Sequence, residues 1–142
     1  PQVAYRETIR DKVEHESKRA NGKNKIKVTW EGTWGQEFYE GINPREGEIV
    51  IQKHRYSGFI DTDLDLILRS KRIKTLIMTG VATNVCVEST ARDGFMKDYY
   101  IVFLSDLCAT WTEEIHQATL QNIDKYFGHV VSSKEVVESW KG

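Results

Sequence analysis

Thr75-Leu76-Ile77-Met78-Thr79-Gly80 is a short apolar run closed by a glycine and followed at once by a stretch of helical character. A run of this length without polar alternation fits a strand buried inside a sheet, and Gly80 lets the backbone turn sharply where it ends. The pattern recurs. Glu48-Ile49-Val50-Ile51 reads as a buried strand, and Thr62 or Asp63 can cap a helix bearing Leu64, Ile67 and Leu68. After Thr75–Thr79 comes a helix from about Asn84 to Met96, then Tyr100-Ile101-Val102-Phe103-Leu104 as a third strand. Thr112 opens a helix with Leu120, Ile123 and Phe127 on one face and Gly128 as its stop. His129-Val130-Val131 is a last short strand, and Ser133 to Trp140 a final helix. Strands each followed by a helix predict parallel β-α units. The expected class is α/β, a three-layer α/β/α arrangement around a mostly parallel sheet. Sites in such sheets form beyond the carboxyl ends of strands, here Lys53 to Phe59, Gly80 to Cys86 and Ser105 to Thr110.

Residues 1–30 read differently. Arg10 to Lys27 is dense in charge, with a helix candidate at Glu7 to Arg19, the breaker Asn21-Gly22 and an alternating segment, Ile26 to Trp30. The expected division is an atypical charged segment over 1–30 and a domain over 31–142. Between them Trp34, Phe38, Tyr39 and Pro44 sit in a loop from Gly32 to Gly47. The aromatics could cover a pocket or build a subunit interface. The 142 residues carry 20 Lys and Arg against 21 Asp and Glu, a balance that favours neither nucleic acid nor an anionic membrane surface. No apolar run approaches the roughly 20 residues that span a bilayer, and the first six residues are not a signal peptide. The two cysteines, Cys86 and Cys108, form no CxxC pair, and no Cys/His cluster has zinc spacing. Free thiols, no metal, no cofactor and a cytoplasmic location are the expectation.

Cys86 has the best physical case for reactivity. The turn Thr79-Gly80-Val81-Ala82-Thr83-Asn84-Val85-Cys86 places it in the first turn of the next helix, with Thr83 or Asn84 as cap. Unpaired N–H groups and the positive end of the helix dipole stabilise a thiolate there, and the same groups can hold an oxyanion. Lys53, just past the preceding strand in Lys53-His54-Arg55-Tyr56-Ser57-Gly58-Phe59, can add an ammonium to that site. His54 alternates with Lys53 and points the other way along an extended segment. Cys108 reads as buried and inert.

Gly32-Thr33-Trp34-Gly35, Lys53 to Phe59, Thr62-Asp63-Leu64 and above all Gly80 to Gly94 carry a resemblance to the isochorismatase-like cysteine hydrolases. It covers residues 32 to 140 and is strongest toward the ureidoacrylate amidohydrolase branch. The resemblance implies a thioester acyl-enzyme formed by Cys86, with Lys53 stabilising the thiolate. It implies an oxyanion hole from the N–H groups of Ala82 and Cys86, and a cis peptide between Val81 and Ala82. Tyr56 and Trp34 would line the substrate pocket, with Asn84 a cap or a ligand contact. The substrate would be a small amide or ureido compound and the assembly a homo-oligomer.

The family pattern also includes an Asp at the end of a first strand, in a segment like Asp-Met-Gln-Asn-Asp-Phe, serving as general base and then acid. No such segment occurs here, so the fold is expected as an N-terminally truncated version, and Asp11, Glu14 and Glu16 lie in a charged stretch instead. Pro1 to Arg10 resembles a stretch of the ribosomal translocase elongation factor G, though the chain has no GxxxxGK[ST] loop. The competing readings are an inactive remnant serving as a structural or oligomerisation module and, within the fold, hydrolysis of a vinyl ether such as isochorismate. Asp106 is expected to orient a loop, His116 and His129 to lie at the surface, and Arg92 to pair with Asp93 or brace its helix.

Overall fold

The computed structural model describes residues 36–39 and 41–141. The expected helix at Glu7–Arg19, the segment Ile26–Trp30 and Trp34 lie outside them. The chain divides into two compact units between Arg55 and Tyr56. In the first, the expected strand Glu48–Ile51 does not form. Glu48 N–H donates to the Arg45 carbonyl at 3.0 Å, and the Glu48 carboxylate accepts from Arg45 N–H at 2.8 Å, closing a turn around Gly47. Ile49 and Val50 are about half exposed. An apolar triplet becomes a strand only with a ladder and a face to pack on, and no described residue supplies the ladder.

The second unit is a parallel sheet with helices packed on it. Helix α1 spans Leu64–Ser70, strand β1 Thr75–Val81, helix α2 Glu88–Met96, strand β2 Tyr100–Ala109, helix α3 Glu113–Tyr126, strand β3 His129–Val131 and helix α4 Ser133–Ser139. Among the described residues the strand order is β1-β2-β3, with both pairings parallel. The α/β class expected from the sequence is therefore what the chain adopts.

The core is made by Phe59, Val87, Ala91, Tyr99, Ile101, Phe103, Leu120 and Ile123. Phe103 and Ile123 are fully buried. Thr112 caps α3 by accepting from Ile115 N–H, and Leu120 and Ile123 face inward as their spacing requires. The helix ends where Phe127 and Gly128 N–H groups both donate to the Ile123 carbonyl. A Cβ on Gly128 would stand 2.7 Å from Ile101 Cβ and collide with its carbonyl, so β2 and the end of α3 meet backbone to backbone. Helix α4 opens with a capping box between Ser132 and Glu135.

Three expectations need correction. Strand β1 is not buried on both faces: Leu76 and Met78 pack on the core, while Ile77 and Val81 are 43% and 72% exposed. Strand β2 does not stop at Leu104 but runs to Ala109, so Asp106 and Cys108 lie within it. The polar pair Ser105-Asp106 hides this continuation, because their side chains bond outside the ladder, Ser105 to the Val131 carbonyl and Asp106 to Ser133. Arg92 pairs with Glu88, one helical turn back, rather than with Asp93, and so braces its helix, the other role expected of it.

Candidate active site

Strand β1 ends in Gly80 and Val81, and the chain reverses through Ala82 into a π-helical turn, Thr83–Val87, that leads into α2. Gly80 has φ +117°, a conformation that a side chain strains against. The Val81–Ala82 peptide bond is cis. The Ala82 carbonyl accepts from both Val85 N–H (3.0 Å) and Val87 N–H (3.3 Å), which widens the turn to five residues. Neither Thr83 nor Asn84 is the cap: the N-cap is Ala82, in extended conformation and without a side-chain bond.

Thr83 and Val87 anchor this turn. Thr83 is fully buried and Val87 belongs to the core. Cys86, one residue before Val87, stays half-buried and is in no disulfide. Polar tethers then fix the turn from three directions. The Thr90 hydroxyl donates to the Cys86 carbonyl at 2.7 Å and accepts from Gly58 N–H at 3.0 Å. This latches the Tyr56–Phe59 loop to the turn. Thr110, just past β2, donates to Asn84 Oδ1 at 2.7 Å. Thr83 Oγ1 lies 3.0 Å from His116 Nδ1 of α3. Parallel pairing makes this possible, since Val81 is in register with Ala109 and brings the end of β2 beside the turn.

The C-terminal unit thus brings Val81, Ala82, Asn84, Cys86 and Tyr56 onto one connected set of loops. Lys53 belongs to the first unit, where its Nζ donates to the Arg55 carbonyl at 3.0 Å. His54 Nδ1 is buried and has no hydrogen-bond partner among the described residues. Asn84 is not the cap of the turn, and its Oδ1 accepts from the Thr110 hydroxyl. Sequence reasoning missed the three tethers. Thr90 and Thr110 carry no spacing signal, and His116, expected at the surface, is half-buried against Thr83. A helix starting at Thr112 was the available clue, since it brings the first turns of α3 to the same end of the sheet.

Cys108 differs from Cys86 in setting. Its thiol contacts the Met78 carbonyl at 3.7 Å, and burial pushes its pKa up to about 11. It is a structural thiol. Among the described residues no group of His, Cys, Asp and Glu is placed to hold a metal ion, and no helix is long and apolar enough to cross a membrane.

A family model, the isochorismatase domain, matches residues 2–135. A ureidoacrylate amidohydrolase of Acinetobacter baylyi is 42% identical over 116 residues, 81% of this chain and 47% of the relative. The crystal structure of an isochorismatase-like hydrolase from Alkaliphilus metalliredigens superposes with a TM-score of 0.74 at 43% identity, over 77% of this chain and 60% of that one. A nicotinamidase/pyrazinamidase of Bacillus subtilis gives a TM-score of 0.71 at 30% identity, over 75% and 63% of the two chains. The chain spans about half the length of the curated relative it matches. The match across nearly the whole sequence, together with the superposition on a solved isochorismatase-like hydrolase at 43% identity, settles the family: the chain belongs to the isochorismatase-domain family.

Proposed function

We propose that the chain carries the nucleophile of a cysteine amidohydrolase acting on a small ureido or carboxamide compound. The observation that supports this most is the placement of Cys86. It lies in the turn that leaves the carboxyl end of β1, held by buried Thr83 and Val87 on either side. Sites of open α/β sheets form at such ends. The ureidoacrylate amidohydrolase and nicotinamidase names of the relatives point to the same bond type.

In the proposed reaction the Cys86 thiolate adds to the amide carbonyl. The oxygen takes the negative charge and is held by the N–H groups of Ala82 and Cys86. The tetrahedral species collapses, the C–N bond breaks and the departing nitrogen takes up the proton that Cys86 gave up on becoming a thiolate. Water then adds to the Cys86 thioester and releases the acid, returning a proton to the system and the thiol to Cys86. The family resemblance further assigns to Lys53 the positive charge that favours the thiolate, and to Tyr56 and Trp34 the lining of the substrate pocket.

The test is ammonia release from a panel of ureido acids and carboxamides, with intact-mass detection of the acyl-enzyme. Turnover by the wild type and none by Cys86→Ser is the expected result. If no amide in the panel is hydrolysed above the Cys86→Ser background, the hydrolase reading fails and a non-catalytic module takes its place.

A further inference from the structure

His116 lies outside every residue assigned to the chemistry, yet it touches the turn that carries Cys86. Its Nδ1 stands 3.0 Å from Thr83 Oγ1, and Thr83 is fully buried. A buried hydroxyl without a partner is destabilising, so this contact has a reason to persist. The next residue, Asn84, is held by Thr110 at 2.7 Å. Two consecutive residues of the turn are therefore fixed by side chains from two other elements. The cis peptide lies immediately before them and Cys86 two residues after. His116 also borders an open cleft of about 470 Å³ lined by Cys108, Thr110, Trp111, Thr112 and Gln117, so its ring joins the turn to a solvent-facing surface.

We infer that His116 is a positioning residue for the nucleophile turn: its imidazole holds Thr83 and thereby sets the path of the backbone from Ala82 to Cys86. The inference rests on the reading of Cys86 as the nucleophile. His116 reaches the turn through its contact with Thr83. It acts through Thr83, which fixes where the N–H groups of the turn point relative to the sulfur.

The experiment uses the whole chain with His116→Ala, Thr83→Val, the two combined, and His116→Asn, whose amide occupies the place of Nδ1. The readout is the rate of iodoacetamide alkylation at Cys86 across the thiol titration range. Peptide mapping separates Cys86 from Cys108. Each single variant is expected to slow alkylation at neutral pH about tenfold. The double variant is expected to be no slower than either single one, because both remove the same contact. His116→Asn is expected to return the rate to within about twofold of wild type.

Rates unchanged in both single variants, or effects that multiply in the double variant, overturn the inference. If His116→Ala is too unstable to assay, the near-isosteric Thr83→Val decides by the same criterion. Alkylation needs no amide turnover. A chain that alkylates readily at Cys86 but hydrolyses nothing therefore sinks the hydrolase reading while the coupling still decides the role of His116. Wild-type alkylation at Cys86 no faster than in the urea-unfolded chain overturns both.

Discussion

Arg92 Nη2 lies 2.6 Å from Glu88 Oε1 within α2, and the same carboxylate reaches across to α3. Glu88 Oε2 accepts from the Thr119 hydroxyl at 3.0 Å, and Oε1 also accepts from the Asn122 amide at 3.1 Å. Its side chain is 14% exposed. One carboxylate thus joins the helix that begins just after Cys86 to the helix that carries His116. Glu88→Ala leaves Thr119 and Asn122 without their acceptor and is expected to cost about 2–3 kcal/mol. Urea denaturation of the variant checks this, and a loss under about 0.5 kcal/mol, the range of an ordinary surface substitution, contradicts it.

Phe103 sits at the centre of β2 with no exposed surface and packs among Ile101, Leu120 and Ile123. Phe103→Ala opens a cavity that the backbones of β2 and α3 cannot close. The expected loss is about 3–5 kcal/mol, read as a lowered urea midpoint with an unchanged slope.

Gly128→Ala puts a methyl group against Ile101, where backbone stands rather than a movable side chain. Either β2 or the end of α3 must shift. A loss of about 1–3 kcal/mol is expected, with the shift detectable as faster amide exchange at Ile101 and Val130. Retained stability shows that the close approach is not obligatory.

Cys108 is expected to label only slowly in the native chain. With its pKa raised to about 11, mainly by burial, it is a thiol at neutral and mildly alkaline pH. Native labelling near pH 8 is expected at least about tenfold below the rate in urea, where an ordinary thiol titrates near 8.5. Equal rates in both states remove the case for a structural thiol.

Three carboxylates make the fold acid-sensitive. Hydrogen bonds from the Ser133 hydroxyl and N–H hold Asp106 below its ordinary value of 3.8. The Tyr99 hydroxyl, helped by Arg69 and Lys97, does the same for Asp65, and Ser132 for Glu135. A depressed folded-state pKa contributes stability that is present above the unfolded value and disappears as pH falls through the folded one. The urea midpoint is therefore expected to hold near pH 5 and to decline below about pH 4. Asp106→Asn is expected to make that decline shallower; an unchanged profile means Asp106 carries none of it.

Much of this architecture was legible in the sequence. The helix at Leu64, the strand at Thr75, the capped helix after Thr112 and the short strand at His129 all appear where apolar spacing and caps put them. These are local signals, with packing to match. The triplet Ile49–Ile51 had the same local signal and no ladder among the described residues, so tertiary context overrode it. The continuation of β2 past Leu104 was hidden because Ser105 and Asp106 look like a loop until their partners in β3 and α4 are known. In the candidate site, Cys86 stood out by its place in the turn. The supports did not: Thr83 to His116 and Asn84 to Thr110 are contacts between elements, and one sequence contains no record of them.

The pairing of β1 with β2 loses step partway along. Met78 is opposite Phe103, but Gly80 is opposite Cys108, so β1 advances two residues while β2 advances five. The surplus in β2 is where Leu104 pairs with Val131 and Asp106 holds Ser133. This slack lets one strand meet two timetables, a core below and a turn above. It also makes the length of that stretch a tuning element. Removing a single residue between Leu104 and Leu107 leaves Ile101 and Phe103 in place but draws Thr110 away from Asn84, so the tether on the turn changes while the core around Phe103 does not.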